Sequence, residues 1–158
     1  MMAGEDHEKW AARHFGAGLL PPFSFIYDGR PSPQFIADWI FSYEQRKSQD
    51  QGRELIHTYA DPATGLRVRC ELIAFQDLPA LEWVLRFKND AQEDTPLLEE
   101  VLSLDGEITA ADGGDFLLHR ALGSDAQKDD FAPVDESLSP HKRVNFAPIG
   151  GRSSNRTA

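Results

Sequence analysis

Disulfides are the first thing this chain lacks. Cys70 is its single cysteine, so no internal cross-link can form, and the expected compartment is a reducing cytoplasm. Cys70 lies in the apolar phase of a candidate strand, where an inert buried thiol is expected rather than a nucleophile. No apolar run of about 18 residues occurs, so no membrane-crossing helix is expected. The opening MMAGEDHEKW is charged and does not read as a secretory signal. Asn155-Arg156-Thr157 fits the glycosylation pattern and, with no such signal before it, is read as a chance match. Positive charge is scarce across 89–140, where fourteen Asp and Glu face only Arg120 and Lys128, in a chain of net charge −10. An acidic surface repels phosphate backbones and anionic lipid heads, so neither nucleic acid nor a membrane is an expected partner.

Chemical motifs are missing as well. His7, His14, His57, His119 and His141 show neither H-x-x-x-H nor H-E-x-x-H spacing, and Cys70 has no companion for a zinc site. Asp112-Gly113-Gly114-Asp115 and the stretch Asp125–Asp130 lack the calcium-loop pattern and read as solvated acidic turns. Ser24, Ser42, Ser103 and Ser137 lack the G-x-S-x-G elbow. Gly150-Gly151-Arg152 is not followed by G-K-[ST], so it is no phosphate loop. The expectation is no catalytic residue, no metal and no cofactor.

What is present is period-two patterning. Leu66, Val68, Cys70, Leu72 and Ala74 face one way while Arg67, Arg69 and Glu71 face the other. Such alternation marks an antiparallel strand with one wet face. Ala80 to Lys88 repeats it, with Leu81, Trp83, Leu85 and Phe87 on the apolar side. Glu54–Tyr59 and Leu66–Phe75 flank Asp61-Pro62-Ala63-Thr64-Gly65, which predicts a hairpin turn. Further strands are expected at Phe23–Tyr27, closed by Asp28-Gly29, then from about Trp39 to Arg46, and at Leu97–Ile108 and Phe116–Arg120. Others are expected near Phe131 and at Val144–Phe146. Arg30-Pro31-Ser32-Pro33 reads as a break, and Phe35–Arg46 also has a spacing that would serve a helix. Glu5 to Phe15 predicts a short helix ended by Gly16-Ala17-Gly18 and Pro21-Pro22. Many short strands between turn signals predict a mainly β, antiparallel β-sandwich with a short N-terminal helix. The expected layout is a helical lead-in over 1–20, the sandwich over 21–149 and a frayed segment over 150–158.

Three segments then carry a resemblance: Pro22-Phe23-Ser24-Phe25-Ile26-Tyr27-Asp28-Gly29-Arg30-Pro31-Ser32, Tyr59-Ala60-Asp61-Pro62-Ala63-Thr64-Gly65-Leu66-Arg67-Val68-Arg69-Cys70, and Leu81-Glu82-Trp83-Val84-Leu85-Arg86-Phe87-Lys88-Asn89. A fourth is Phe146-Ala147-Pro148-Ile149-Gly150-Gly151-Arg152-Ser153-Ser154-Asn155. In this order and spacing they resemble the N-terminal β-sandwich of bacterial α-galactosidase-like glycoside hydrolases, relatives of glycoside hydrolase family 36. The resemblance covers roughly 20–155. It implies a galactose-mutarotase-like supersandwich, followed in the family by a (β/α)₈ barrel with two catalytic Asp residues and a small C-terminal β domain. Here Arg156-Thr157-Ala158 ends the sequence where the family continues into an aromatic-rich run, so the sandwich is expected to be incomplete and cut off before the barrel.

A glycosidase needs two carboxyl groups about 5–10 Å apart across one bond. In the resembled family these stand on the barrel, so no activity is expected from this chain alone. The resemblance implies that it braces the barrel, shapes the substrate entrance and helps a homo-oligomer form. Its partners would be that barrel and, through it, an α-galactoside-type carbohydrate. Two features keep a ligand role open. Trp83 is a candidate sugar-stacking platform, with core packing as the plain alternative. Arg152, Ser153, Ser154 and Asn155 offer hydroxyl-binding groups on the substrate or interdomain side, against a frayed end. The rival readings are a free-standing carbohydrate-binding module and an inactive structural fragment. A free module should expose a row of aromatic residues on one sheet face, whereas the aromatics here fall mainly in apolar phases.

Overall fold

The computed structural model describes residues 5–47, 52–107, 116–124, 126, 128–139 and 142–146. The chain divides into two compact units, 1–107 and 108–158. The architecture is mainly β, with antiparallel sheets and one short α-helix.

The first unit opens with α1 (Glu5–His14). It is followed by β1 (Ser24–Tyr27) and the two-residue β2 (Arg30–Pro31). Asp28 and Gly29 between them have φ of 52° and 69°, the left-handed pair that a type I′ hairpin turn requires. Arg30-Pro31 is therefore a paired edge, with Ile26 opposite Pro31 and Tyr27 opposite Arg30, and the break comes one step later. Pro31 stands before a 3-10 turn over Ser32–Gln34, and a second covers Ile36–Asp38. Both precede β3 (Ile40–Lys47), so the strand reading of this ambiguous stretch holds from Ile40.

β4 (Gly52–Ala60), β5 (Leu66–Phe75) and β6 (Leu81–Asn89) complete a meander in the order β3-β4-β5-β6. β5 is paired on both edges and alternates as its sequence demands. Leu66, Val68, Cys70, Leu72 and Ala74 are all buried, while Arg67 is exposed and Arg69 and Glu71 are half-buried. Gly65 has φ of 79°, and its missing Cβ leaves room for Ala91, which such an atom would approach to 2.9 Å. A glycine is needed there.

β7 (Leu98–Leu102) joins β1 to make a second sheet in the order β2-β1-β7. The long strand expected over Leu97–Ile108 is thus cut to five residues. Glu100 takes a positive φ of 45°, and past Leu102 the backbone finds other partners. Trp83 Nε1 donates to the Ser103 carbonyl at 2.8 Å, and Asp105 N–H donates to Pro22 O at 2.9 Å. Ile108 lies outside the described residues.

The two sheets of this unit meet through aromatic side chains. Phe25 from β1 meets Phe87 from β6 edge-on, with centroids 5.4 Å apart, and Phe23 meets Tyr59 at 6.0 Å. Tyr27, Ile36, Trp39, Val68, Cys70 and Leu72 lie in the same core. Each such side chain contributes about 1.5–3 kcal/mol when fully buried. α1 adds Ala11 and Phe15 to this core and is fastened by His7, whose Nε2 donates to the Phe75 carbonyl at 3.1 Å.

The second unit contains β8 (Phe116–Ala121) and β9 (Pro133–Leu138), an antiparallel pair from Phe116–Leu138 to Ala121–Pro133. Glu136 takes ion pairs from Arg120 and Lys142, and both lower its carboxyl below the ordinary range, Lys142 most. Val144–Phe146, read from sequence as a strand, pairs with no strand among the described residues. The Phe146 ring lies under the Arg120 guanidinium at 5.1 Å instead, a contact that needs no ladder. No described helix is long and apolar enough to cross a membrane.

Candidate functional site: an aromatic cleft around His57

An aromatic-lined cleft of about 560 Å³ lies between α1 and the inner face of β3 and β4. Ala11, Ala12 and Phe15 line it from the helix; Phe41 and Tyr43 from β3; Leu55 and His57 from β4. The sheet residues converge because Phe41, Tyr43, Leu55 and His57 share one phase. Tyr43 stands opposite His57 and Phe41 opposite Tyr59, which puts these side chains on the same sheet face.

His57 is 4% exposed. Phe15 stacks on the imidazole at 4.9 Å, Tyr43 lies 5.5 Å away and Phe41 6.1 Å. Burial among these rings pushes the imidazole from 6.5 down to about 4, so it is neutral near pH 7. Its Nδ1 is buried and makes no hydrogen bond among the described residues, an arrangement that costs free energy unless something completes it. At the rim Arg53 of β4 forms an ion pair with Glu8 of α1. The Tyr43 hydroxyl donates to Gln45 Oε1 at 3.0 Å, which orients the ring at the mouth.

The sequence singled out other residues. Trp83 is half-buried against the core. Its indole stacks on Trp10 with centroids 6.1 Å apart, meets Phe15 edge-on, and spends its N–H on Ser103. One indole face is thus occupied within the fold, as packing requires. Arg152, Ser153, Ser154 and Asn155 lie outside the described residues, as do His141, Asp112, Asp115 and Asp125. Among the described residues no three His, Cys, Asp or Glu side chains converge as metal ligands would. Cys70 is fully buried, and its thiol is pushed up to about 12, chiefly by burial and then by Glu71, so it carries no reactive thiolate.

His57, Phe41 and Tyr43 were not singled out from sequence, although a signal existed. His57 occupies an inward phase of β4 between Leu55 and Tyr59, where a polar side chain is out of place. The cleft itself depends on how α1 lies across the sheet, which no local pattern encodes. The chain matches no protein-family model, and neither the curated proteins nor the solved structures include a significant match to it.

Proposed function

We propose that this chain is the non-catalytic N-terminal β-sandwich of an α-galactosidase-like glycoside hydrolase, acting in the cytoplasm, where it braces the catalytic barrel and contributes to oligomerisation or to the substrate entrance. The observation that carries the reading is the meeting of the three quoted sequence segments in one hydrogen-bonded unit. Segment 81–89 pairs with 66–74 through nine consecutive partners from Leu66–Asn89 to Ala74–Leu81. Segment 22–32 is tied to 59–70 by the Tyr27 hydroxyl, 2.6 Å from Thr64 Oγ1. Oligomerisation is supported by β7, whose outer edge is unpaired among the described residues. Leu97, Val101, Leu102 and Leu104 in and around it are exposed, and open edges with apolar side chains invite a partner.

A free-standing carbohydrate-binding module is the second reading, and the occupied face of Trp83 weighs against it. The test is hydrolysis of nitrophenyl α-galactoside by the purified chain. The expected rate equals the buffer blank, because the carboxyl pair of the resembled enzymes belongs to the barrel. Turnover that survives purification and vanishes when one Asp or Glu is replaced overturns the proposal.

A further inference from the structure

We infer that the cleft between α1 and the β3-β4 face is a binding site for a small, uncharged aromatic molecule carrying one hydrogen-bonding group, with the ring held between Phe15, Phe41 and Tyr43 and the polar group paired with His57. The inference stands apart from the α-galactosidase-like reading.

Four observations point to that chemistry. The volume of about 560 Å³ lies within the range of small-molecule sites, which are mostly apolar with a few placed polar groups. The walls follow that rule, since Ala11, Ala12, Phe15, Phe41 and Leu55 supply hydrocarbon and offer ring faces and edges suited to an arene. His57 is the one polar side chain sunk into the wall, and its Nδ1 lacks a partner among the described residues. A ligand hydroxyl or carbonyl that meets the imidazole finds there the polar partner that the hydrocarbon walls do not offer. Charged side chains stand only at the rim, where Glu8 and Arg53 form an ion pair beside Lys9. The buried wall residues Ala11, Phe15 and His57 include no carboxylate, ammonium or guanidinium to compensate an ion's desolvation, so the site favours a neutral ligand over an ion. A neutral imidazole suits such a ligand in either role, as acceptor from a phenolic hydroxyl or as donor to a carbonyl.

The experiment titrates the full 158-residue chain with phenol and separately with toluene, followed by heteronuclear NMR at pH 7. Two variants accompany it. Ala12→Phe fills the cleft from an exposed helix position, and His57→Phe keeps a ring in place while deleting the imidazole. Phenol is expected to give saturable shifts confined to Ala12, Phe15, Phe41, Tyr43 and Leu55. It is expected to bind about tenfold more tightly than toluene, the factor that about 1.4 kcal/mol of hydrogen bonding provides. His57→Phe is expected to erase that preference and keep toluene binding. Ala12→Phe is expected to abolish both while leaving the urea midpoint unchanged or higher. Shifts that grow linearly without saturation, phenol binding indifferent to Ala12→Phe, or equal affinity for phenol and toluene in the parent chain would each overturn the assignment.

Discussion

The Tyr27 hydroxyl stands 2.6 Å from Oγ1 of Thr64, joining β1 of one sheet to the β4-β5 turn of the other. Thr64 donates its own proton to Asp61 Oδ2 at 2.5 Å, so Tyr27 is the donor to Thr64. The carboxylate in turn accepts from Ala63 N–H at 3.0 Å. One short chain of hydrogen bonds therefore shapes the turn and ties the two layers together.

Tyr27→Phe removes only the first link and should cost about 0.5–1.5 kcal/mol. Thr64→Val strips partners from Tyr27, from Asp61 and from Leu66 N–H, 3.4 Å away, and should cost about 1–3 kcal/mol. Urea unfolding of both single variants and the double variant checks this. A coupling above about 0.5 kcal/mol is expected, because the two groups touch. Strict additivity would show that the contact carries no stability.

Ser32 is fully buried, and its hydroxyl accepts from Phe25 N–H at 3.1 Å. Ile26 stands opposite Pro31, so the same register brings Phe25 opposite Ser32 just past the end of β2 at Pro31, and the hydroxyl takes the place of a strand carbonyl for Phe25. Ser32→Ala leaves a buried N–H unsatisfied and should destabilise by about 1–3 kcal/mol. Ser32→Thr keeps the acceptor, so its cost should come from crowding alone. Equal unfolding midpoints for the parent and Ser32→Ala would contradict the role.

The alternation of β5 and β6, the hairpin at 61–65, the helix at the start and the antiparallel sheets were all legible in the sequence. Each rests on a local rule: side chains from Leu66 to Ala74 declare their faces by period two, and Pro62 and Gly65 mark the turn. Interactions between distant residues were not legible. The shortening of the strand at Leu102 depends on a carbonyl taken by Trp83 twenty residues away. The non-strand state of Val144–Phe146 goes with a cation held over the Phe146 ring. His57 could be placed on the inward face of β4, but its cleft depends on helix placement, which the chain sets only in three dimensions. Trp83 was read both as platform and as core, and the neighbour that occupies one of its faces, Trp10, comes from a separate element.

Lowering the pH should destabilise the fold through His57. Its proton affinity in the folded chain is depressed from 6.5 to about 4 by burial, so between those values the unfolded chain holds a proton that the folded chain does not. Stability is then full above about pH 6.5 and falls as the pH drops toward 4. His57→Phe should flatten that part of the curve. The measurement is the urea midpoint of both chains at half-unit steps from pH 7.5 to pH 4, and parallel curves would contradict the assignment.

Cys70 should be silent toward thiol reagents in the folded protein. It is completely buried and its thiol is held far above neutrality, at about 12. Ellman's reagent should detect one thiol in denaturant and almost none under native conditions, with reaction limited by unfolding. Fast native labelling would show that the core around β5 is open.

The accessory-domain reading is tested most directly by sequencing the coding DNA beyond codon 158. It predicts a frame that runs on through an aromatic-rich stretch and further strands into a (β/α)₈ barrel, with Asp residues at the C-terminal ends of barrel strands. A frame that leads into no such barrel would contradict it.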